Sequence, residues 1–461
     1  MTDKDISMNL KMNQKSFNGI KDLADGKKTD ESYIEPLCKF VDERFDCSDF
    51  RVLPLLKTLY AYSDLLSDKT RLRIKNTILN FKYWMDEPGE DSMCYWSENH
   101  QLLFHTCEYM AGSMFPDEVI TNNGMTGREH IEKSKWKIEQ WMKHKWEYGF
   151  IEWHSNTDYE EDIAPLAMLI DHSPDKKIAD KAKIIMDIML LDIAMFSFEG
   201  FFSSSSGRCY EGKKKDGETQ CTRDIYEHAV GDGSRIYDYK RISALFTLCK
   251  NYKVPDVLKA IARDKGTRII KDSQGLELTE LKEKFDMSNM DTTGALMWQM
   301  EAFTNPESIE LTLDMFNKYK MYKNDFLKDL KMINYGILRK SKLMPCLVRL
   351  LNPSTQGVAI QRSNNYTYKT ADFMLSTSMR HHAGEFGDQQ HIWHAILPGN
   401  INVFTTHPGV PFFDDQARNF SPDYWVGNGV MPDSVQHENI SISIYKSDFR
   451  KGLLERERQL Y

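Results

Sequence analysis

Apolar residues recur at intervals of three and four positions from about residue 31 to 345, a spacing that places them on one face of a helix. The clearest such segments are 50–66, 68–84, 126–148 and 176–198. Shorter helical segments are predicted at 238–250, 255–264, 291–303, 306–320 and 324–339. Consecutive helices with short connections favour antiparallel helical hairpins arranged as a bundle, a solenoid or a closed ring.

The period of the pattern changes to two beyond 352–357, where an Asn-Pro-Ser-Thr-Gln-Gly turn occurs. Apolar and polar residues alternate in 373–380, 401–405 and 440–445, which is typical of half-buried strands. Residues 351–461 are therefore predicted to form an antiparallel β domain, following a helical domain at 31–350. Its length is small for a sandwich, so we expect the domain to be reduced or cut short.

The two ends of the chain are polar. Residues 1–30 are rich in Lys, Asp and Asn with little apolar periodicity, and we expect an N-terminal arm with at most one short helix. The last dozen residues are charged and helix-like.

The segment 95–105 combines aromatic, acidic, amide and imidazole side chains at a predicted helix start. Ser97 has the character of an N-cap, which places Glu98, Asn99 and His100 in the first turn. The unpaired N–H groups and the dipole of a helix N-terminus favour an anionic ligand there. A capped helix with an ordinary polar surface turn would show the same pattern.

Charge and cysteine usage exclude some classes of protein. The chain has 68 acidic and 60 basic residues, a formal net charge of -8, and its Lys and Arg residues are dispersed. We therefore expect no nucleic-acid surface. None of the eight cysteines forms a CxxC pair, so zinc-ribbon and thioredoxin-type motifs are not indicated, and reduced thiols are expected.

Targeting signals are not evident in the sequence. The first residues lack the basic-then-apolar pattern of a signal peptide, and no run of about 18 apolar residues occurs. We therefore expect a cytoplasmic protein without a membrane partner.

Two further polar clusters lie in the helical region. The segment 152–159 ends in Tyr159, which falls in the first turn of a helix opened by a capping-box pattern at 157–160. The second cluster, Gly207–Tyr210, follows a Ser-rich loop and contains Arg208, whose guanidinium suits carboxylate ligands. A packed tyrosine and a solvated arginine are the simpler interpretations of these two clusters.

Histidines are concentrated in the predicted β domain. Four of the chain's 13 histidines fall within 381–394, directly after Arg380. A metal site is one interpretation, but His391 and His394 would point to opposite faces if 391–397 is a strand. A structural metal near these histidines is therefore not favoured, and we expect no cofactor. A further histidine lies in a predicted turn at 406–409.

Taken together, the helical first domain, Asn99–His100 at a helix start, Tyr159, and an antiparallel β domain with further histidines resemble a known group of enzymes. These are the polysaccharide lyases with an (α/α) toroid followed by a β-sandwich, such as the alginate lyase and heparinase II/III-like families. The resemblance covers the architecture of nearly the whole chain and only a few residues. It implies β-elimination on an anionic poly- or oligosaccharide that contains uronic acid.

The resemblance also implies roles for individual residues. Asn99 and His100 would neutralise the uronate carboxylate, and Arg208 would clamp the substrate. Tyr159, with a pKa lowered by nearby cations, would act as base, acid or both, and His391 would be the second proton-transfer group. Further substrate contacts are expected from Trp96, Glu98, Trp153 and Tyr210.

Two alternatives remain open. A uronic-acid-specific exo-hydrolase on a similar toroid would use a carboxylate pair drawn from Glu98, Glu152 and Asp158. A non-catalytic glycan-binding protein would line a cleft with aromatic residues but without convergent titratable groups. Elimination creates an unsaturated, ultraviolet-absorbing product, whereas hydrolysis does not.

Overall fold

The structure of the protein is a computed structural model, which describes residues 18–233, 239, 241–352, 357–387, 389–406 and 430–446. The expectations for residues 1–17, for the turn beyond Thr406 and for the charged C-terminal dozen lie outside these described residues. Within these ranges, no helix is long and apolar enough to cross a membrane.

The described part of the chain is mainly helical. Its α-helices are α1 (Asn18–Ala24), α2 (Ile34–Asp42), α3 (Asp49–Tyr62), α4 (Asp68–Asn80), α5 (Glu98–Met114), α6 (Gly127–Tyr148), α7 (Tyr159–His172), α8 (Lys176–Met195), α9 (Glu211–Lys215), α10 (Thr222–Ala229), α11 (Ala244–Thr247), α12 (Asp256–Arg263), α13 (Leu278–Lys284), α14 (Ala295–Gln299), α15 (Ile309–Lys318), α16 (Gly336–Lys340) and α17 (Met344–Leu351).

Helix α5 lies at the centre of this arrangement. The hydroxyl of Ser97 accepts a hydrogen bond from the backbone N–H of His100 at 3.4 Å, so the predicted N-cap is confirmed. Residues 98–112 are all buried, and α5 packs against α3, α6 and α7. Its first turn is therefore enclosed by other elements, and the surface-turn interpretation is wrong.

The helical predictions are accurate in the first half of the chain and mixed in the second. The helix expected at 255–264 is α12, whereas only the short α11 lies in the segment expected at 238–250. The long helix expected at 126–148 is α6, which begins at a capping box formed by Thr126 and Glu129. The segment expected to be helical at 291–303 begins as a π-helix at Met290–Gly294 and continues as α14, so it is helical but ends at Gln299. The side chain of Asn289 accepts hydrogen bonds from two backbone N–H groups at its start and acts as the N-cap.

A five-stranded antiparallel sheet completes the fold, in the order β3-β4-β5-β6-β7, with one short hairpin before it along the chain and one after. The strands are β1 (Ser197–Phe198), β2 (Phe201–Phe202), β3 (Arg268–Gln274), β4 (Ser363–Lys369), β5 (Met374–Ser378), β6 (Trp393–Leu397), β7 (Ile401–Val403), β8 (Asp433–His437) and β9 (Ile440–Ile444).

Strand β3 comes from the region that was expected to be purely helical. It pairs along its full length with β4, with Arg268 opposite Lys369 and Gln274 opposite Ser363. Its inward positions at 270, 272 and 274 are Ile, Asp and Gln, and most of the strand is exposed. Because two of these three inward residues are polar, apolar alternation does not reveal this strand.

The sheet meets the helices through a loop of four serines, Ser203–Ser206, which is completely buried. The hydroxyl of Ser205 lies 3.0 Å from the hydroxyl of Ser376 on β5 and 3.2 Å from the side-chain oxygen of Asn365 on β4. Ser206 forms a backbone bridge with His391, just before β6. This loop therefore fixes the position of the next residues, Gly207–Tyr210, between the sheet and the helices.

Candidate functional site

The guanidinium of Arg208 lies within a group of carboxyl side chains. Its Nε is 2.8 Å from Oδ2 of Asp158, and its Nη1 is 3.0 Å from Oε1 of Glu301. The same Nη1 donates a hydrogen bond to Oε1 of Glu152. The arginine side chain is only 12% exposed, so these contacts are weakly screened by water. Arg208 is thus a buried ionic centre rather than a solvated charge.

Asn99 joins this group from the first turn of α5. Its Nδ2 donates to Oε2 of Glu152 at 3.0 Å, and its side-chain oxygen accepts a hydrogen bond from Ser97 at 3.0 Å. Asn99 and Arg208 therefore hold the two oxygens of one carboxyl group between them. We call Asn99, Glu152, Asp158, Arg208 and Glu301 the Arg208 cluster.

Protonation is unusual in the Arg208 cluster. Burial raises the pKa of Glu152 to about 8, because the opposing effect of Arg208 is partly cancelled by Asp158, Glu98 and Glu301. The surroundings of Glu152 therefore favour its neutral form more than those of an ordinary glutamate do. Burial and the neighbouring acids Glu98 and Glu152 also raise the pKa of Asp162 well above its usual range.

Glu301 and Gln389 complete the site and were not identified from the sequence. Glu301 follows α14 and has a backbone φ of 56°, in the left-handed region that is costly for a residue with a side chain. The amide of Gln389, just before β6, donates to Glu301 Oε2. No local motif marks Glu301, whereas Gln389 belongs to the polar run that precedes His391.

His100 is separated from its neighbour Asn99. Its Nδ1 lies 2.7 Å from Oδ2 of Asp49, and its ring stacks on Phe50 with a centroid distance of 4.8 Å. Burial disfavours the charged ring, but Asp49 and the Cys94 thiol outweigh it and raise the pKa of His100 well above its usual range. Successive helical residues point about 100° apart, which explains why the predicted pair divides.

Tyr159 is the first residue of α7, as predicted. The capping box expected at 157–160 is wrong, because the N-cap is Asp158 and its side chain makes no capping hydrogen bond. The Tyr159 hydroxyl donates to Oδ2 of Asp192 at 3.1 Å and accepts from the backbone N–H of His154 at 3.2 Å. Burial and Asp192 raise the pKa of Tyr159 well above its usual range, so the expectation of a lowered pKa is wrong.

His391 is buried next to the loop that carries Arg208. The strand expected at 391–397 begins only at Trp393, and the rings of His391 and His394 meet edge to face, 5.6 Å apart. The expectation that the two rings face opposite ways is therefore wrong. Burial, followed by Lys214, lowers the pKa of both rings well below the usual range. The nearby Lys214 also disfavours a cation between them.

The expected substrate contacts fall in different environments. Glu98 is fully buried and pairs with Lys145, and it also accepts the backbone N–H of Ile151 at 2.6 Å. Trp96 is 5% exposed inside an aromatic group. Trp153 is fully buried, 5.6 Å from the ring of His381. Tyr210 is half-buried, and its hydroxyl acts electrostatically on Arg208.

The remaining residues of the 380–394 segment do not form one group. Arg380 is exposed and pairs with Asp433, 3.2 Å away. His382 lies 3.1 Å from Glu277, whereas burial lowers the pKa of its neighbour His381 to about 3.

The geometry therefore unites Asn99 and Arg208 of the predicted site, with Tyr210 in electrostatic range. Contacts with Asp49 and Asp192 place His100 and Tyr159 in separate groups. Comparison with protein-family models, with curated protein sequences and with solved structures gives no match. The assignment of a function consequently depends on the chemistry of the Arg208 cluster.

Proposed function

We propose that the protein is a β-eliminative lyase that acts on a uronic-acid-containing oligo- or polysaccharide, with its helices arranged as an (α/α) toroid. The observation that supports this proposal is that two donors, the guanidinium of Arg208 and the amide of Asn99, hold the two oxygens of one carboxyl group, that of Glu152.

The proton on Glu152 has a chemical consequence for an acidic substrate. Asn99 and Arg208 already bind a carboxyl group between them, so they have the geometry to recognise another. A charged Glu152 would repel a uronate, whereas the neutral form donates a hydrogen bond to it. Removal of the C5 proton builds negative charge on that carboxylate, and these donors would stabilise it.

The proton-transfer group that fits this arrangement best is Tyr210. It lies two positions after Arg208, it is half-buried, and its hydroxyl is within electrostatic range of the guanidinium. As phenolate it would take the C5 proton; the C–H electrons would form the C4–C5 double bond as the C4–O bond breaks. The phenol would then return the proton to the leaving oxygen. Tyr159 and His391 are completely buried and serve this role less well.

The test is digestion of a panel of uronic-acid glycans, in which ultraviolet absorbance and the number of reducing ends are measured on the same samples. We expect both signals to rise in parallel with the native chain and with Glu152→Gln, since the amide keeps a neutral donor. Tyr210→Phe should lose at least a hundredfold in rate. Tyr335→Phe, at an exposed tyrosine, is the matched control. Full activity of Tyr210→Phe would remove Tyr210 from the mechanism. The absence of both signals with every substrate of the panel would contradict the proposal.

A uronic-acid-specific hydrolase is the second candidate, favoured by the same carboxyl group. A glutamic acid with a pKa of about 8 suits a general acid, and Asp158 or Glu301 would supply the carboxylate partner. Glu98 fits this role less well because it is paired with Lys145. In a hydrolase, reducing ends would rise without ultraviolet absorbance, and Glu152→Gln would abolish them because an amide cannot donate the catalytic proton.

A further inference from the structure

A second group of polar side chains surrounds His100, on the side of α5 that does not contribute to the Arg208 cluster. Asp46, Cys47 and His100 each offer one ligand atom, and these three atoms all lie within 4.8 Å of one another. We infer that this group, the His100 cluster, binds a zinc ion. The inference is independent of the proposed lyase activity.

The orientation of His100 is the first argument. Its Nδ1 is occupied by Oδ2 of Asp49 at 2.7 Å, and the thiol of Cys47 is hydrogen-bonded to the same ring. Because Asp49 takes Nδ1, Nε2 is the ring nitrogen left for a metal ion. A carboxylate behind an imidazole is the arrangement that fixes the tautomer and direction of zinc-bound histidines in proteins. Asp49 is completely buried and has no role in the Arg208 cluster.

The donor atoms are the second argument. A thiolate, an imidazole and a carboxylate are the three ligand types that zinc prefers in proteins. Cys47 has a backbone φ of 64°, a conformation that costs free energy for a residue with a side chain and is often found at binding sites. Cys94 is a candidate fourth ligand, because its N–H donates to Oδ1 of Asp46 at 3.2 Å and its thiol acts electrostatically on His100.

Charge balance is the third argument. The buried guanidinium of Arg51 acts electrostatically on Cys47, Asp49 and Asp46. A zinc ion together with Arg51 supplies three positive charges. The Cys47 thiolate and the carboxylates of Asp46 and Asp49 supply three negative charges, and His100 would bind as the neutral ring. With these three ligands the occupied site would be neutral, which lowers the cost of placing an ion beside Arg51, and a Cys94 thiolate would add one negative charge.

A comparable group elsewhere already contains its cation. Glu87, Glu108 and His130 are also grouped closely enough to bind a metal, and all three are buried. The Nζ of Lys133, however, lies 2.9 Å from Glu87 and 3.3 Å from Glu108. The lysine occupies the position that a metal would need, so this trio is a structural ion-pair network and provides a matched control.

The test uses the full-length chain, stripped of metal with a chelator and then titrated with Zn²⁺ alone. We expect one zinc per chain, with at least a tenfold loss of affinity in Cys47→Ser and Asp46→Asn, while Glu87→Gln and Cys346→Ser at an exposed thiol bind as the native chain does. Loading with Co²⁺ should give a thiolate-to-cobalt absorption band that disappears in Cys47→Ser.

Three outcomes would overturn the inference. These are substoichiometric zinc in the native chain, unchanged affinity in both cluster variants, or a disulfide between Cys47 and Cys94 in the non-reduced protein. Circular dichroism of each variant separates loss of the ligand from loss of the fold. Catalytic assays are not part of the readout, so failure here would leave the proposed lyase activity untouched.

Discussion

The buried acid Glu152 makes the stability of the protein depend on pH in a calculable way. Its pKa is about 8 in the folded protein, whereas an unperturbed glutamic acid has the usual value of 4.5. Below pH 4.5 both states carry the proton, and the group has no effect. Between pH 4.5 and about 8 the unfolded chain loses the proton while the folded chain keeps it, so stability falls as pH rises.

The size of the effect follows from the width of this window. Each unit of increasing pH within this window lowers the free energy of unfolding by about 1.4 kcal/mol, and the full window lowers it by about 5 kcal/mol at most. Substitution Glu152→Gln removes the titration while retaining the shape and a neutral amide. For a chain of 461 residues that unfolds as one unit, about 1 kcal/mol corresponds to about 1 °C. The melting temperature of Glu152→Gln should therefore rise by about 1 to 1.5 °C relative to that of the native chain for each unit of increasing pH within this window.

The measurement is the melting temperature of the native chain and of Glu152→Gln at pH 5, 6, 7 and 8 by differential scanning calorimetry. Glu283→Gln, at an exposed glutamate, corrects for general effects of charge. The difference between Glu152→Gln and the native chain should widen steadily with pH. Two parallel curves would refute the reasoning, because they would mean that Glu152 is already ionised in the folded protein.

Three other substitutions test the buried polar groups. Arg208→Ala leaves three carboxyl groups without their cation and should lower the free energy of unfolding in urea by about 3–5 kcal/mol. A loss below about 1 kcal/mol would contradict the assignment of Arg208 as a buried ionic centre. Lys57→Met should cost less, about 1–3 kcal/mol, because Asp171, 2.8 Å away and 3% exposed, loses its cation but still accepts the backbone N–H groups of Lys250 and Asn251; equal stability would contradict this. Tyr159→Phe should cost about 1–3 kcal/mol by removing the donor to Asp192, and a loss of elimination without a loss of stability would restore Tyr159 to the mechanism.

Local signals in the sequence were sufficient for the elements with strong caps and a clear period. Ser97 and Thr126 mark helix starts that the structure confirms, and Met374–Ser378 and Ile440–Ile444 are strands where alternation predicted them. Strand β3 could not be found in this way, because long-range pairing with β4 stabilises it rather than an apolar face of its own.

The candidate site shows a similar division. The residue types at Asn99 and Arg208 indicated carboxylate chemistry, and the structure brings both to Glu152. Glu301 reaches the site only through the packing of distant segments, and no local pattern records that contact. The direction of the Tyr159 pKa depends on burial and on Asp192, which one sequence alone does not reveal.

Strand β3 also constrains how the chain can be divided. It lies before α13–α17 in sequence, but its hydrogen-bonding partner β4 lies after them. A fragment that stops at residue 350 would present the whole inner edge of β3 to solvent and would be prone to self-association. A fragment that starts at residue 351 would lose the outermost strand of its sheet. Expression as two separate halves should therefore yield insoluble material, whereas co-expression of both halves should restore the shared sheet.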